Sequence, residues 1–192
     1  MKPVKIRNLE IGCGRPKICV PIVERTKEEI LSFAEKIVQS KADMVEWRAD
    51  WYESVMDFDK VREVLTELRK ILEDRPILFT FRTLQEGGEQ LIGMEVYQEL
   101  NCNVCRSGMV DLVDVELSAG KDIMNEILKT AHEYHVYGIA SSHDFEKTPT
   151  KEEIILKLCS MQELGADIAK IAVMPQKKKD VLTLLAATEE VA

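Results

Sequence analysis

Positive charge is scarce in this chain: 26 lysines and arginines face 34 aspartates and glutamates, for a formal net charge of -8 over 192 residues. Nucleic acid is therefore excluded as a main partner, because phosphate binding needs a basic face. The one basic triplet, Lys177-Lys178-Lys179, stands just past a strand-like run and reads as a solvated helix start. Long apolar runs are missing as well. None approaches the ~18 residues of a membrane span, and the N-terminus lacks the apolar core of a signal peptide, so a cytoplasmic protein with no membrane partner is expected. Cysteine is sparse and odd in number; with five residues, and with Cys19 and Cys159 among apolar neighbours, reduced packing cysteines are expected in place of a disulfide framework. Cys102-Asn103-Val104-Cys105 has CxxC spacing, yet no second ligand pair accompanies it. Gly12-Cys13-Gly14 comes before a strand, whereas a dinucleotide fingerprint must follow one and open a helix. Of the three histidines, His132 and His135 read as exposed residues of one helix, outside any zinc-protease pattern.

What the chain does contain is a rhythm. Val4-Lys5-Ile6-Arg7, a turn at Gly12 to Gly14 and the run from Lys17 to Val23 read as an N-terminal hairpin leading into a first strand. Thr26 with Glu29 forms a capping box ahead of Ile30, Phe33, Ala34, Ile37 and Val38 at helical spacing. Further strands are expected at Met44 to Asp50, Pro76 to Arg82, Asp111 to Leu117, Val136 to His143 and Ile168 to Met174. Helices are expected from about Phe58 to Leu72, Gln90 to Arg106, around Ile123 to Ala131, from Thr148-Pro149 through Met161, and from Lys178 to Ala187. A unit of strand then helix recurs roughly every 30 residues, which implies parallel strands covered by helices. An open doubly wound sheet and a (β/α)₈ barrel share this rhythm, although a complete barrel takes ~250 residues.

The strand ends favour the barrel. By the two-residue period, Glu46, Arg48 and Asp50 share a face, as do Thr80 and Arg82, and Asp114 and Glu116. The fifth strand closes on Ser141-Ser142-His143-Asp144, and the sixth holds Lys170. Ionisable or polar groups thus converge from five strands toward their C-terminal halves, where barrels build active sites; an open sheet concentrates its site at one switch point. Lys170 interrupts an apolar run, Ala166 to Pro175, that reads as a strand buried on both faces. A free lysine has a pKa near ~10.4, and burial penalises the ammonium and favours the nucleophilic amine. The alternative is a lysine at a strand end whose stem is buried while its head reaches water. His143 can take and return a proton near neutrality. A nucleophilic lysine, a nearby histidine and arginines for an anion suggest Schiff-base chemistry on a keto acid.

Several motifs together resemble type I 3-dehydroquinate dehydratase, the shikimate-pathway lyase. They are Glu46-Trp47-Arg48, Phe79-Thr80-Phe81-Arg82 followed by Glu86-Gly87-Gly88-Glu89, Val113-Asp114-Val115-Glu116-Leu117, Ser142-His143-Asp144-Phe145, and Gly165 through Gln176. The likeness runs from about Val4 to the end of the chain with every motif in order. It implies a (β/α)₈ TIM barrel, of which this chain carries six of the eight strand-helix units and an N-terminal β-hairpin as one domain over residues 1–192. It also implies a small-molecule substrate, 3-dehydroquinate, no metal or cofactor, and a homodimer. Lys170 would form an imine with the substrate ketone, His143 would act as general base and then acid, and Glu86 would orient His143. Glu46, Arg48 and Arg82 would bind the substrate's hydroxyl and carboxylate end. Glu86 enters through the resemblance alone; the others also follow from the strand ends. Gly87-Gly88 would permit the loop to move over the substrate.

The family continues through two further strand-helix units that carry an arginine and a serine/glutamine loop. A chain ending at Ala192 is therefore expected to be truncated, with unpaired first and sixth strands, poor solubility and little activity by itself. Two other functions compete: a class I aldolase-type barrel, which would need a phosphate-binding loop that is not found up to Ala192, and a truncated, non-catalytic scaffold relative. An intact set of Lys170, His143 and Glu86 weighs against the scaffold.

Overall fold

The computed structural model describes residues 3–192. Six parallel strands form one curled sheet: β3 (Cys19–Ile22), β4 (Met44–Arg48), β5 (Ile77–Thr80), β6 (Leu112–Glu116), β7 (Tyr137–Asp144) and β8 (Ile168–Val173). They pair in the order β3-β4-β5-β6-β7-β8. Every neighbour in space is thus the neighbour in sequence, so the order never reverses. A doubly wound sheet requires such a reversal, so the winding is that of a barrel. Helices α1 (Lys27–Val38), α2 (Phe58–Leu72), α3 (Met94–Arg106), α4 (Lys121–Glu133), α5 (Lys151–Glu163) and α6 (Lys178–Val191) cover the outside. None of the described helices is long and apolar enough to cross a membrane.

Alternation along the strands builds two layers. Val45, Trp47, Phe79, Val113, Val115 and Ala140 belong to the large core shared with the helices. The opposite face begins with an apolar layer of Met44, Leu78, Leu112 and Ile139. That layer is plugged from below by Ile6, in the antiparallel hairpin of β1 (Val4–Ile6) and β2 (Leu9–Ile11). Asp111 fastens the plug, accepting from Arg7 Nε at 2.5 Å, Arg69 Nη2 at 2.6 Å and the Ile77 amide at 2.8 Å.

Several boundaries differ from the sequence reading, each for a visible reason. Helix α1 opens on the expected capping box of Thr26 and Glu29, but α5 is capped by Thr150 with Glu153, past Thr148-Pro149. Helix α3 starts at Met94, not near Gln90. Gln90 is held outside it by a bridge to Thr83 and by its amide donating to the carbonyls of Asp50 and Tyr52. His135 lies beyond α4 with φ 59°, so it is not a helical residue. His132 faces Asp167, with Nε2 to Oδ2 at 3.0 Å.

Strand β8, the sixth of the sheet, has one edge unpaired among the described residues, as expected for the first and sixth strands. Its apolar run reads as a strand covered on both faces, yet every residue from Ile168 to Val173 is partly exposed. It is an edge strand, pairing with β7 on one side. Cys19, on the other edge strand, is exposed for the same reason. Cys102 and Cys105 are buried on α3, and burial pushes the Cys105 thiol up to about 12.

Candidate active site

One two-residue step above the apolar layer, the inner face turns polar. Leu78 is followed by Thr80, Leu112 by Asp114, Ile139 by Ser141 and Ile168 by Lys170. Another step brings Arg82, Glu116 and His143. In the β7–β8 register Ser141 lies opposite Lys170 and His143 opposite Ala172, so Lys170 and His143 share the inner face.

Arg82 is the hub. Its side chain is 5% exposed and reaches Asp114 Oδ1 at 2.8 Å and Glu116 Oε1 at 2.9 Å. It also donates to Ser141 Oγ at 3.0 Å and approaches Glu86 Oε2 at 3.7 Å. Burial alone would weaken its proton, but Asp114 and Glu116 reverse that and hold its pKa above the usual value. Burial likewise pushes Asp114 up; Arg82 first, then Lys170 and the Ser141 hydroxyl, overcome it and leave the carboxyl below its usual range. For Glu116 burial prevails and its pKa is raised, although the Thr83 hydroxyl and amide donate to it at 2.6 and 2.8 Å.

His143 is positioned from one side. Glu86 Oε2 lies 2.7 Å from its Nδ1 and accepts its backbone N–H at 3.1 Å. Glu86 Oε1 accepts the Ser118 hydroxyl at 2.5 Å. Phe145 stacks on His143 with ring centroids 6.2 Å apart. The loop that presents Glu86 is a short 3-10 turn, Leu84–Glu86, ended by Gly87 at φ 82°. A Cβ on Gly87 would stand 2.7 Å from Phe145 Cε2, and one on Gly88 would run into the carbonyl of Arg82. The two glycines thus serve close packing.

Lys170 Nζ lies 3.4 Å from Asp114 Oδ2, and its side chain is 39% exposed. A fully desolvated lysine, as the apolar run suggests, is not what the edge strand provides. Glu46 accepts the Thr80 hydroxyl at 2.8 Å. Arg48 grips Asp50 with two bonds of 2.8 Å, and buried Asp50 also accepts the amides of Arg82 and Glu89 at 3.2 Å. Asp50 is therefore a brace for Arg48 and the loop, although periodicity grouped it with Glu46 and Arg48. The sequence flagged Asp114 and Glu116 as strand-end charges without giving them partners, and it gave no sign of Ser118.

An amine, a carboxylate-held imidazole and buried ion pairs gathered at the C-terminal strand ends define a (β/α)-barrel enzyme equipped for acid–base chemistry on a small molecule. The profile of the type I 3-dehydroquinase family matches residues 18–192. A 3-dehydroquinate dehydratase of Clostridioides difficile is 51% identical over 189 residues, 98% of this chain and 74% of the relative. One of Clostridium botulinum is 52% identical over 188 residues. A crystal structure of type I 3-dehydroquinate dehydratase from Clostridium difficile with covalently modified comenic acid superposes at TM-score 0.97 and 51% identity, covering 98% of this chain and 75% of that one. The Enterococcus faecalis structure gives TM-score 0.95 at 44% identity, covering 98% and 79%. The chain belongs to the type I 3-dehydroquinate dehydratase family, hydro-lyases that remove water from 3-dehydroquinate to give 3-dehydroshikimate. An archaeal fructose-1,6-bisphosphate aldolase, 18% identical at TM-score 0.56, shares the fold and no more.

Proposed function

We propose that the dehydration proceeds through an imine at Lys170, with His143 as general base and acid and Glu86 as its orienting partner. Lys170, as the neutral amine, attacks the C3 ketone and water leaves. The imine acidifies the C2 proton, which His143 removes; the electron pair moves toward the imine nitrogen. His143 then returns a proton to the departing C1 hydroxyl, and hydrolysis of the imine frees 3-dehydroshikimate. The supporting observation is the double hold of Glu86 on His143, through Nδ1 and the backbone amide, while His143 shares a sheet face with Lys170. Nδ1 is thereby committed to Glu86, which leaves Nε2 for the substrate.

Glu46 and Arg48, both partly exposed, take the substrate's hydroxyls and carboxylate in this reading, and Arg82 adds positive charge from beneath. The six strand-helix units act as one domain. Unpaired Cys102 and Cys105 fit the reducing cytoplasm, and the reaction fits the shikimate pathway toward aromatic amino acids. Assembly as a homodimer belongs to the same reading and is checked by light scattering. The chemistry is tested by following 3-dehydroshikimate formation against a panel of sugar phosphates. Turnover of 3-dehydroquinate alone is expected; cleavage of a sugar phosphate would favour an aldolase.

A further inference from the structure

Asp114 is fully buried, and its two oxygens divide their work. Oδ1 is anchored by Arg82 Nη2 at 2.8 Å and by the Ser141 hydroxyl at 2.6 Å. Oδ2 points to Lys170 Nζ. The other nearby carboxylates are engaged elsewhere: Glu86 with His143 and Ser118, Glu116 with Arg82 and Thr83, and Glu46 with Thr80. Asp114 makes the one ion pair recorded for Lys170 among the described residues, and at 3.4 Å it is loose enough for Nζ to move onto a substrate carbon.

We propose that Asp114 is the catalytic counter-ion that keeps the Lys170 imine protonated, a role that rests on the imine chemistry proposed above. When neutral Lys170 adds to the C3 ketone and water departs, one positive charge is left on the imine nitrogen. Only this iminium draws electrons strongly. As the C2 proton passes to His143, the C–H pair forms a C2–C3 double bond and the nitrogen becomes a neutral enamine. When the C1–O bond breaks, oxygen leaving with the pair and a proton from His143, the C2–C3 pair shifts to form the C1–C2 double bond, the nitrogen lone pair re-forms the C=N bond and the iminium reappears. Asp114 faces a charge that is present, absent and present again, and neither gives nor takes a proton itself. In a site partly withdrawn from water an iminium without an anion would shed its proton. Arg82 and Ser141 on Oδ1 fix the carboxylate in place before the charge develops, which is the arrangement that makes electrostatic stabilisation effective.

The test uses the full chain with lysine labelled at ε-15N, saturated with 3-dehydroshikimate, and follows the imine nitrogen by NMR as pH rises. The wild-type imine is expected to stay protonated well above the pH at which a ketimine of butylamine loses its proton in water. With Asp114→Asn, which preserves shape and removes charge, the imine is expected to be neutral at that same pH, and kcat to fall about 100-fold or more with KM little changed. A wild-type imine that titrates like the free ketimine overturns the counter-ion role even where the variant fails to fold. A protonated imine in Asp114→Asn with undiminished kcat overturns it too. Absence of any imine signal in the wild type overturns the Schiff-base reading itself, and this proposal with it.

Discussion

Strands β6 and β8 lie on either side of β7 and run in the same direction, yet their charged side chains are held very differently. All five residues of β6 are buried, Asp114 and Glu116 included, whereas all six of β8 are partly exposed, Lys170 included. On β6 the charges are locked in ion pairs with Arg82; on β8 the amine has one loose partner. The difference in exposure follows from pairing: among the described residues β6 has a strand on each side, and β8 has β7 alone. Buried carboxylates must be fixed and neutralised to exist at all. Lys170, with Asp114 at 3.4 Å, is held by no such network among the described residues.

That contrast makes substitutions on the two sides fail differently. Lys170→Ala, at the exposed edge, is expected to cost about 10⁴-fold or more in kcat, the scale of losing a covalent nucleophile, while leaving the melting temperature nearly unchanged. Kinetics with parallel thermal unfolding would show it; a large loss of stability would mean that β8 is structural first. Arg82→Met does the reverse. It strands Asp114 and Glu116 without their cation and is expected to lower stability by roughly 3–5 kcal/mol in urea titration. Gly88→Ala comes next, since its methyl must displace the carbonyl of Arg82 or the whole Glu86 loop. A loss of about 1–3 kcal/mol is expected, with lower activity because Glu86 leaves His143.

The smallest effect is on pH dependence. Asp114 titrates below its unfolded value of about 3.9, so its contribution is present above that pH and fades as acid takes the solution through its folded pKa. Glu116 has the opposite sign: its pKa is raised, so its contribution is fully present below about 4.3 and is lost as pH rises through the folded value. Urea titrations between pH 3 and 7 are expected to show a flatter acid limb in Asp114→Asn and a steeper one in Glu116→Gln.

The sequence carried the architecture well where the information was local. A capping box, helical spacing and a two-residue alternation are contained in short windows, so Thr26, the helix from Phe58 to Leu72 and the polar inner face from Glu46 to Lys170 could be read directly. Contacts between strands could not. Asp114 and Lys170 stand 56 residues apart, and nothing near either one names the other. The apolar run of β8 tells what a strand tolerates, not what lies beside it; its exposure follows from the unpaired edge expected for the sixth strand and could not be read from the run itself. Glu86 sits in a loop of Gly and Glu without periodicity, and only the family resemblance drew attention to it. Ser118, a lone serine after a strand, left no mark that reasoning from residues could use.

The proposed chemistry turns on one bond, between Lys170 Nζ and a substrate carbon. Incubating the chain with 3-dehydroquinate, reducing with borohydride and mapping the peptides by mass spectrometry tests it directly. A single mass increase on the peptide that carries Lys170 is the expected result, lost in Lys170→Ala. An adduct on another lysine, or turnover that survives Lys170→Ala without any adduct, would contradict it.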